Sequence, residues 1–131
     1  MATLAHVLQV VGWWIGPFVI FFLRPQSRFV RFHALQALLL QAIHVILWMA
    51  IMAAWFVVMF GTISHSRSSA PPAGLFIFFP LVWLLAMGWW VLIIVVAIVY
   101  AIKAGRGEWA EYPVLGRVAR EILKIGPGGA V

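Results

Sequence analysis

The sequence predicts an all-α membrane protein, a polytopic helical bundle of three transmembrane helices followed by a C-terminal amphipathic helix at the interface. Three observations predict it. Of 131 residues, 66% are hydrophobic and 9% are charged, against roughly 45–50% and about 25% in soluble domains, which excludes a water-soluble globule and a disordered chain. The apolar residues gather into three uncharged runs, each long enough to cross the roughly 30 Å hydrocarbon core as a helix. The nine Lys and Arg, against three acids, lie between and after these runs and not inside them. The length fits a single membrane domain over 1–131.

The first run, Leu4 to Leu23, is predicted to span. Met1-Ala2-Thr3 carries no Lys or Arg and no small-residue cleavage site follows, so the run reads as a span and not as a signal peptide. Pro17 lies two-thirds along it and predicts a kink there. Arg24-Pro25-Gln26-Ser27-Arg28 then forms a basic loop in which Ser27 is a candidate N-cap. The second helix reads from about Phe29, with an interfacial start through His33 and a span over 34–60. Gly61 to Gly74, rich in Ser with Pro71-Pro72, is a polar loop. The third span is 75–102, with Pro80 in its first two turns. In the tail, Pro113 can open a helix. Val114, Leu115, Val118, Ile122 and Ile125 recur at helical spacing among basic residues, so an amphipathic helix over about 113–125 is expected at the membrane surface. The Gly126-Pro127-Gly128-Gly129 stretch ends it.

Charge sets an orientation. Three arginines in the first loop and five basic residues in the tail outweigh the single Arg67 of the second loop. The positive-inside rule then places the first loop and the C-terminus in the cytoplasm, and the N-terminus outside. Basic residues placed this way serve topology and anionic headgroups, so nucleic acid is not an expected partner. Membrane lipids and other membrane subunits are. The absence of cysteine excludes disulfides, thiolate metal sites and cysteine nucleophiles.

Polar groups inside spans are the places to look for function, because lipid does not solvate them. The second helix holds His33, Gln36, Gln41 and His44. At 100° per residue His33 and His44 point within about 20° of each other, with Gln41, Trp48, Trp55 and Met59 on the same side. This face either packs across the bundle through hydrogen bonds and aromatic contacts, or binds a cofactor, with His33 or His44 ligating haem iron or the magnesium of a chlorophyll-type pigment. A separation of about 16 Å along the axis prevents both from holding one metal. A proton relay is a third reading, weakened by the lack of any acid inside a span. Gly12 and Gly16 form a GxxxG, a small-residue face for helix packing. Trp13, Trp14, Trp89 and Trp90 fall near the middles of their runs, where they fill gaps between helices, line a flat ligand or face a partner. No catalytic constellation is evident. All three acids lie in the tail, and His65 has no acid on its side of the membrane. His6 and His65 alone do not make a metal site.

Two stretches carry a family resemblance: Ser27-Arg28-Phe29-Val30-Arg31-Phe32-His33-Ala34-Leu35-Gln36-Ala37-Leu38, and Ala101-Ile102-Lys103-Ala104-Gly105-Arg106-Gly107-Glu108-Trp109-Ala110-Glu111-Tyr112-Pro113. Together with Leu4-Ala5-His6, they resemble bacterial small membrane proteins related to the twenty-kilodalton subunit of the chloroplast Tic translocon. The first loop departs from many relatives in being arginine-only. The resemblance implies a multi-pass protein of the bacterial inner membrane, both stretches on one side of a helical bundle, and a role in protein translocation. With both stretches at the cytoplasmic interface, Arg28 or Arg31 is expected to pair with Glu108 or Glu111 as a structural latch. The function expected is that of a non-enzymatic subunit of a larger membrane complex. The alternatives are a pigment- or haem-associated accessory subunit of a photosynthetic or respiratory complex, and a small transporter or channel.

Overall fold

A computed structural model describes residues 1–65 and 73–126. Of the expected polar loop Gly61 to Gly74, residues 61–65 and 73–74 are helical and 66–72 lie outside the described residues, as does the glycine-rich end at 127–131. Among the described residues the regular structure is all helical: α1 (Ala2–Val11), α2 (Ile15–Leu23), α3 (Arg28–His65), α4 (Ala73–Gly105) and α5 (Leu115–Leu123). Two of these, α3 and α4, are long and apolar enough to cross a membrane. Their most apolar windows are 6% and 17% buried, whereas the core helix of a soluble protein would be mostly covered. The predicted spans 34–60 and 75–102 lie inside these helices, which run past them at both ends.

The first apolar run is not a single span. Two helices of ten and nine residues replace it, each about 15 Å long and too short to cross. The break falls at Gly12–Trp14, ahead of the kink expected at Pro17. A proline ring clashes with the carbonyl four residues back, and for Pro17 that residue is Trp13, which adopts φ 51°. Pro17 itself then sits in the first turn of α2, where its missing N–H costs no helical bond. The two arms fold back on each other, and Gly16 makes this possible: a Cβ there would stand 2.4 Å from Leu8 Cβ. Gly12 and Gly16 are thus not one helix face. Gly12 caps α1, its N–H donating to the Leu8 carbonyl, while Gly16 is the contact point of α2 on α1.

The described chain divides into two compact units, residues 1–43 with the segment from Ile93 onward, and His44–Leu92. In the first, Ala2 and Ala5 of α1 pack with Ile20 of α2, Val30 and Ala34 of α3, and Ala104 of α4. The start of α1, the end of α2, the start of α3 and the end of α4 therefore meet. In this arrangement α1 begins beside the basic loop, whereas a crossing first helix would begin a membrane's width away. α4 ends in a closing turn on Gly107 (φ 79°), with Glu108 N–H donating to the Lys103 carbonyl and Gly107 N–H to that of Ala104. α5 is shorter than the predicted 113–125 helix. Part of its apolar face packs on protein: Ala119 and, just beyond the helix, Ile125 are buried against Phe32 of α3, with Leu123 and Trp109 beside them, while Val114 and Ile122 stay exposed. In the second unit an aromatic seam joins α3 to α4. Trp48 lies 6.4 Å from Trp83, and Trp55 stacks on Phe78 at 6.0 Å, around a cavity of about 90 Å³.

Candidate functional site

Where α1, α3 and the connection after α4 meet, a polar network is sealed from solvent. His33 and Gln36, three residues apart on α3, share one helix face. His6 projects from α1, and Tyr112 from the connection ahead of α5. His6, His33 and Gln36 have no exposed surface, and Tyr112 is 3% exposed.

The hydrogen-bond direction follows from one end. The Glu108 carbonyl can only accept, so His33 Nε2 donates to it at 3.1 Å. His33 Nδ1 therefore accepts, and His6 Nε2 donates to it at 3.1 Å. His6 Nδ1 then accepts from the Tyr112 hydroxyl at 2.9 Å. This assigns both tautomers from the network and engages every ring nitrogen of the two imidazoles. Burial pushes the Tyr112 phenol above its ordinary range, which keeps it a donor. Gln36 acts as a backbone surrogate. Its Oε1 accepts from Tyr112 N–H at 2.6 Å, and its Nε2 donates to the Ala110 carbonyl at 3.2 Å. The Tyr100 hydroxyl donates to the Glu111 carbonyl at 2.6 Å. Rings close the site: Phe29 lies 4.7 Å from His33, and Tyr100 4.2 Å from Tyr112.

Gln41 repairs the break in the N-terminal run. An unbroken helix would satisfy the Gln9 carbonyl with the N–H of Trp13. Here Gln41 Nε2 donates to it at 2.8 Å. The Gln9 carboxamide, fully buried beside His6 and Tyr112, makes no hydrogen bond of good geometry to either.

Both nitrogens of His33, one of the two candidate haem or pigment ligands, are engaged in hydrogen bonds within the network. His44, in the second unit, accepts from the Trp89 indole N–H through Nδ1 at 3.0 Å. An indole only donates, so in the neutral ring Nε2 carries the proton. Trp48 and Trp55 pack in the aromatic seam. The expected latch takes another form. The ion pair among the described residues joins Glu111 to Arg120 of α5, and Arg120 also donates to the Gly126 carbonyl and lies over the Phe32 ring. Arg31 sits 4.7 Å over Phe21, Arg28 is exposed, and Glu108 contributes its backbone carbonyl. Sequence spacing missed His6, Tyr112 and Arg120, whose partners lie 27, 106 and 9 residues away along the chain. The Tyr112-Pro113 pair ahead of a Gly-containing helix start was the available signal.

Fold and site define a small helical membrane protein whose N-terminal helix pair is tied by a buried Tyr–His–His chain to the segment after its last long helix. The chain belongs to the MamF/MmsF family, the magnetosome magnetite crystal formation protein family, whose family model spans residues 1–119. That stretch contains α1 to α4 and the entire network. The family match overturns the translocon resemblance, and nothing in it supports a photosynthetic role. The quoted stretches are segments that build the buried network. No curated protein and no solved structure matches the chain.

Proposed function

We propose that the chain is a non-enzymatic, architectural subunit of the membrane in which magnetite crystals form, acting through protein and lipid contacts and not by ligating iron. The observation that carries this reading is the family match over residues 1–119. The state of two of the four imidazoles supports it, because His6 and His33 are spent on holding the fold together. Among the described residues no group of three or more His, Cys, Asp or Glu converges. The apolar surfaces of α1, α2, α3 and α4 remain open, as lipid and membrane partners require.

In this reading α3 and α4 span, and α1–α2 is a re-entrant pair. The face bearing the two basic clusters is cytoplasmic by the positive-inside rule. The connection between α3 and α4 then faces the mineral compartment. Deleting the gene in a magnetite-forming bacterium, and measuring crystal size by electron microscopy beside total cell iron, tests the role. The expected result is an altered crystal size distribution with unchanged cell iron, restored by the wild-type gene. A fall in iron uptake matching the loss of mineral volume would replace the architectural role with transport.

A further inference from the structure

We propose that the groove between α1 and α4 seats one acyl chain of an anionic phospholipid, with Arg106 meeting the headgroup. The groove holds about 480 Å³ and lies wholly within the first unit. Val7 and Val10 form one wall, Ile94 and Ile98 the other, over a floor that includes Ala97 and Ala101.

Its dimensions select the occupant. From Ile94 to Gly105 the groove follows α4 for about 16 Å, close to one leaflet of a roughly 30 Å core. The re-entrant pair covers one leaflet and no more, so the groove ends where a lipid tail ends. Its walls are aliphatic along that length, which suits an unbranched row of methylenes.

Charge selects the headgroup. Gly105 closes the groove against Thr3, where an added Cβ would stand 3.3 Å from the Thr3 hydroxyl. Arg106 follows immediately. It is exposed, and its N–H bonds to the Ile102 carbonyl, so it continues the Ile98–Ile102 stripe by one more turn. A guanidinium at the headgroup level favours a phosphate that carries net negative charge. The proposal rests on the two-span reading and is independent of any role in mineral formation.

The full chain, reconstituted in equimolar phosphatidylglycerol and phosphatidylcholine vesicles and re-extracted in mild detergent, tests it by mass spectrometry of retained lipid. About one phosphatidylglycerol per chain, in several-fold excess over phosphatidylcholine, is the expected result. Ile98→Trp, which fills the groove from an exposed position, should lower retention several-fold, and Val10→Phe from the opposite wall should do the same. Both must keep the wild-type helical content by circular dichroism. Arg106→Gln should erase the preference for phosphatidylglycerol while total retained lipid stays near wild type. Equal retention of the two lipids by the wild type overturns the proposal, as does unchanged retention in both filled variants. Displacement by soluble glycerol phosphate would reduce the site to a phosphate contact. Crosslinking of Ile98→Cys to a second polypeptide would assign the groove to a protein partner. A chain released from vesicles by carbonate would sink the two-span reading itself, a result distinct from any of these.

Discussion

Tyr112 ends the imidazole chain as its only hydroxyl donor, so it is the residue at which the network is most cleanly opened. Tyr112→Phe keeps the ring packing and strands His6 Nδ1 as a buried acceptor, a loss of about 1–3 kcal/mol. The same variant tests a pH dependence. Burial raises the folded phenol above its unfolded value of about 10, so the unfolded chain loses this proton first as pH rises. The contribution is fully present below about pH 10 and is lost as pH climbs from there through the folded value. Melting temperatures in detergent at pH 9 and pH 11 should therefore fall more for the wild type than for Tyr112→Phe, and equal slopes would refute the assignment. Gln9 and Gln36 offer a contrast between two fully buried carboxamides. Gln36→Met orphans the Tyr112 N–H and the Ala110 carbonyl and should lower the melting temperature sharply. Gln9→Met removes a carboxamide without a well-formed partner and should hold or raise it. Sequence alone picked out His33 and Gln36 as buried polar groups of one helix. It did not reach their partners, because helical spacing reports which side a residue faces and not what arrives from another element. The charged residues failed for a related reason. Opposite signs on two segments marked a latch, but the geometry of α5 brought Arg120 to Glu111 ahead of Arg28 or Arg31.

The turn between α1 and α2 rests on Gly16, and the sequence held its signal in a form hydropathy does not read. Uninterrupted apolarity over 4–23 measures length and says nothing of direction, so it predicted a crossing. Pro17, four residues after Trp13, marked where the ladder had to fail. The long runs of α3 and α4 had no such competing signal at mid-length, and as helices they were legible. The GxxxG pattern identified the right glycines but not their use, since close approach occurs between two short arms and not along one face. Gly16→Ala should cost about 1–3 kcal/mol, because its methyl meets Leu8 Cβ and the Leu8 carbonyl, neither of which has room to yield. Gly88→Ala in α4 is the control: an added methyl there meets nothing within 4 Å. It should leave stability unchanged or raise it by up to about 1 kcal/mol through helix propensity. Thermal unfolding of the two variants in one detergent separates a specific close approach from general sensitivity of apolar helices to larger side chains.

At the scale of the whole chain, the folded-back N-terminal pair changes what the charges mean. Eight of the nine Lys and Arg lie in 24–31 and 103–124, segments that meet in the first unit, and Arg67 alone lies between α3 and α4. With three spans, the N-terminus and the basic loop must face opposite sides. With two spans and a re-entrant pair, α1 begins on the side of the basic loop, as the packing of Ala2 and Ala5 against Val30, Ala34 and Ala104 requires. The charge asymmetry is satisfied by either arrangement, so composition could not choose between them. The buried network is the observation that supports the proposed second arrangement. His6 lies within the first turns of α1 and bonds to His33 near the start of α3, which a crossing first helix would carry toward the opposite leaflet. The chain contains no cysteine, so single-cysteine variants read topology without background. Thr3→Cys and Ser27→Cys should react with an impermeant maleimide from the same side of sealed vesicles, and Ser69→Cys from the other. Thr3→Cys and Ser27→Cys reacting from opposite sides would restore a full first span. His6 and His33 could then not share a hydrogen bond, and the network would have to be abandoned along with the topology.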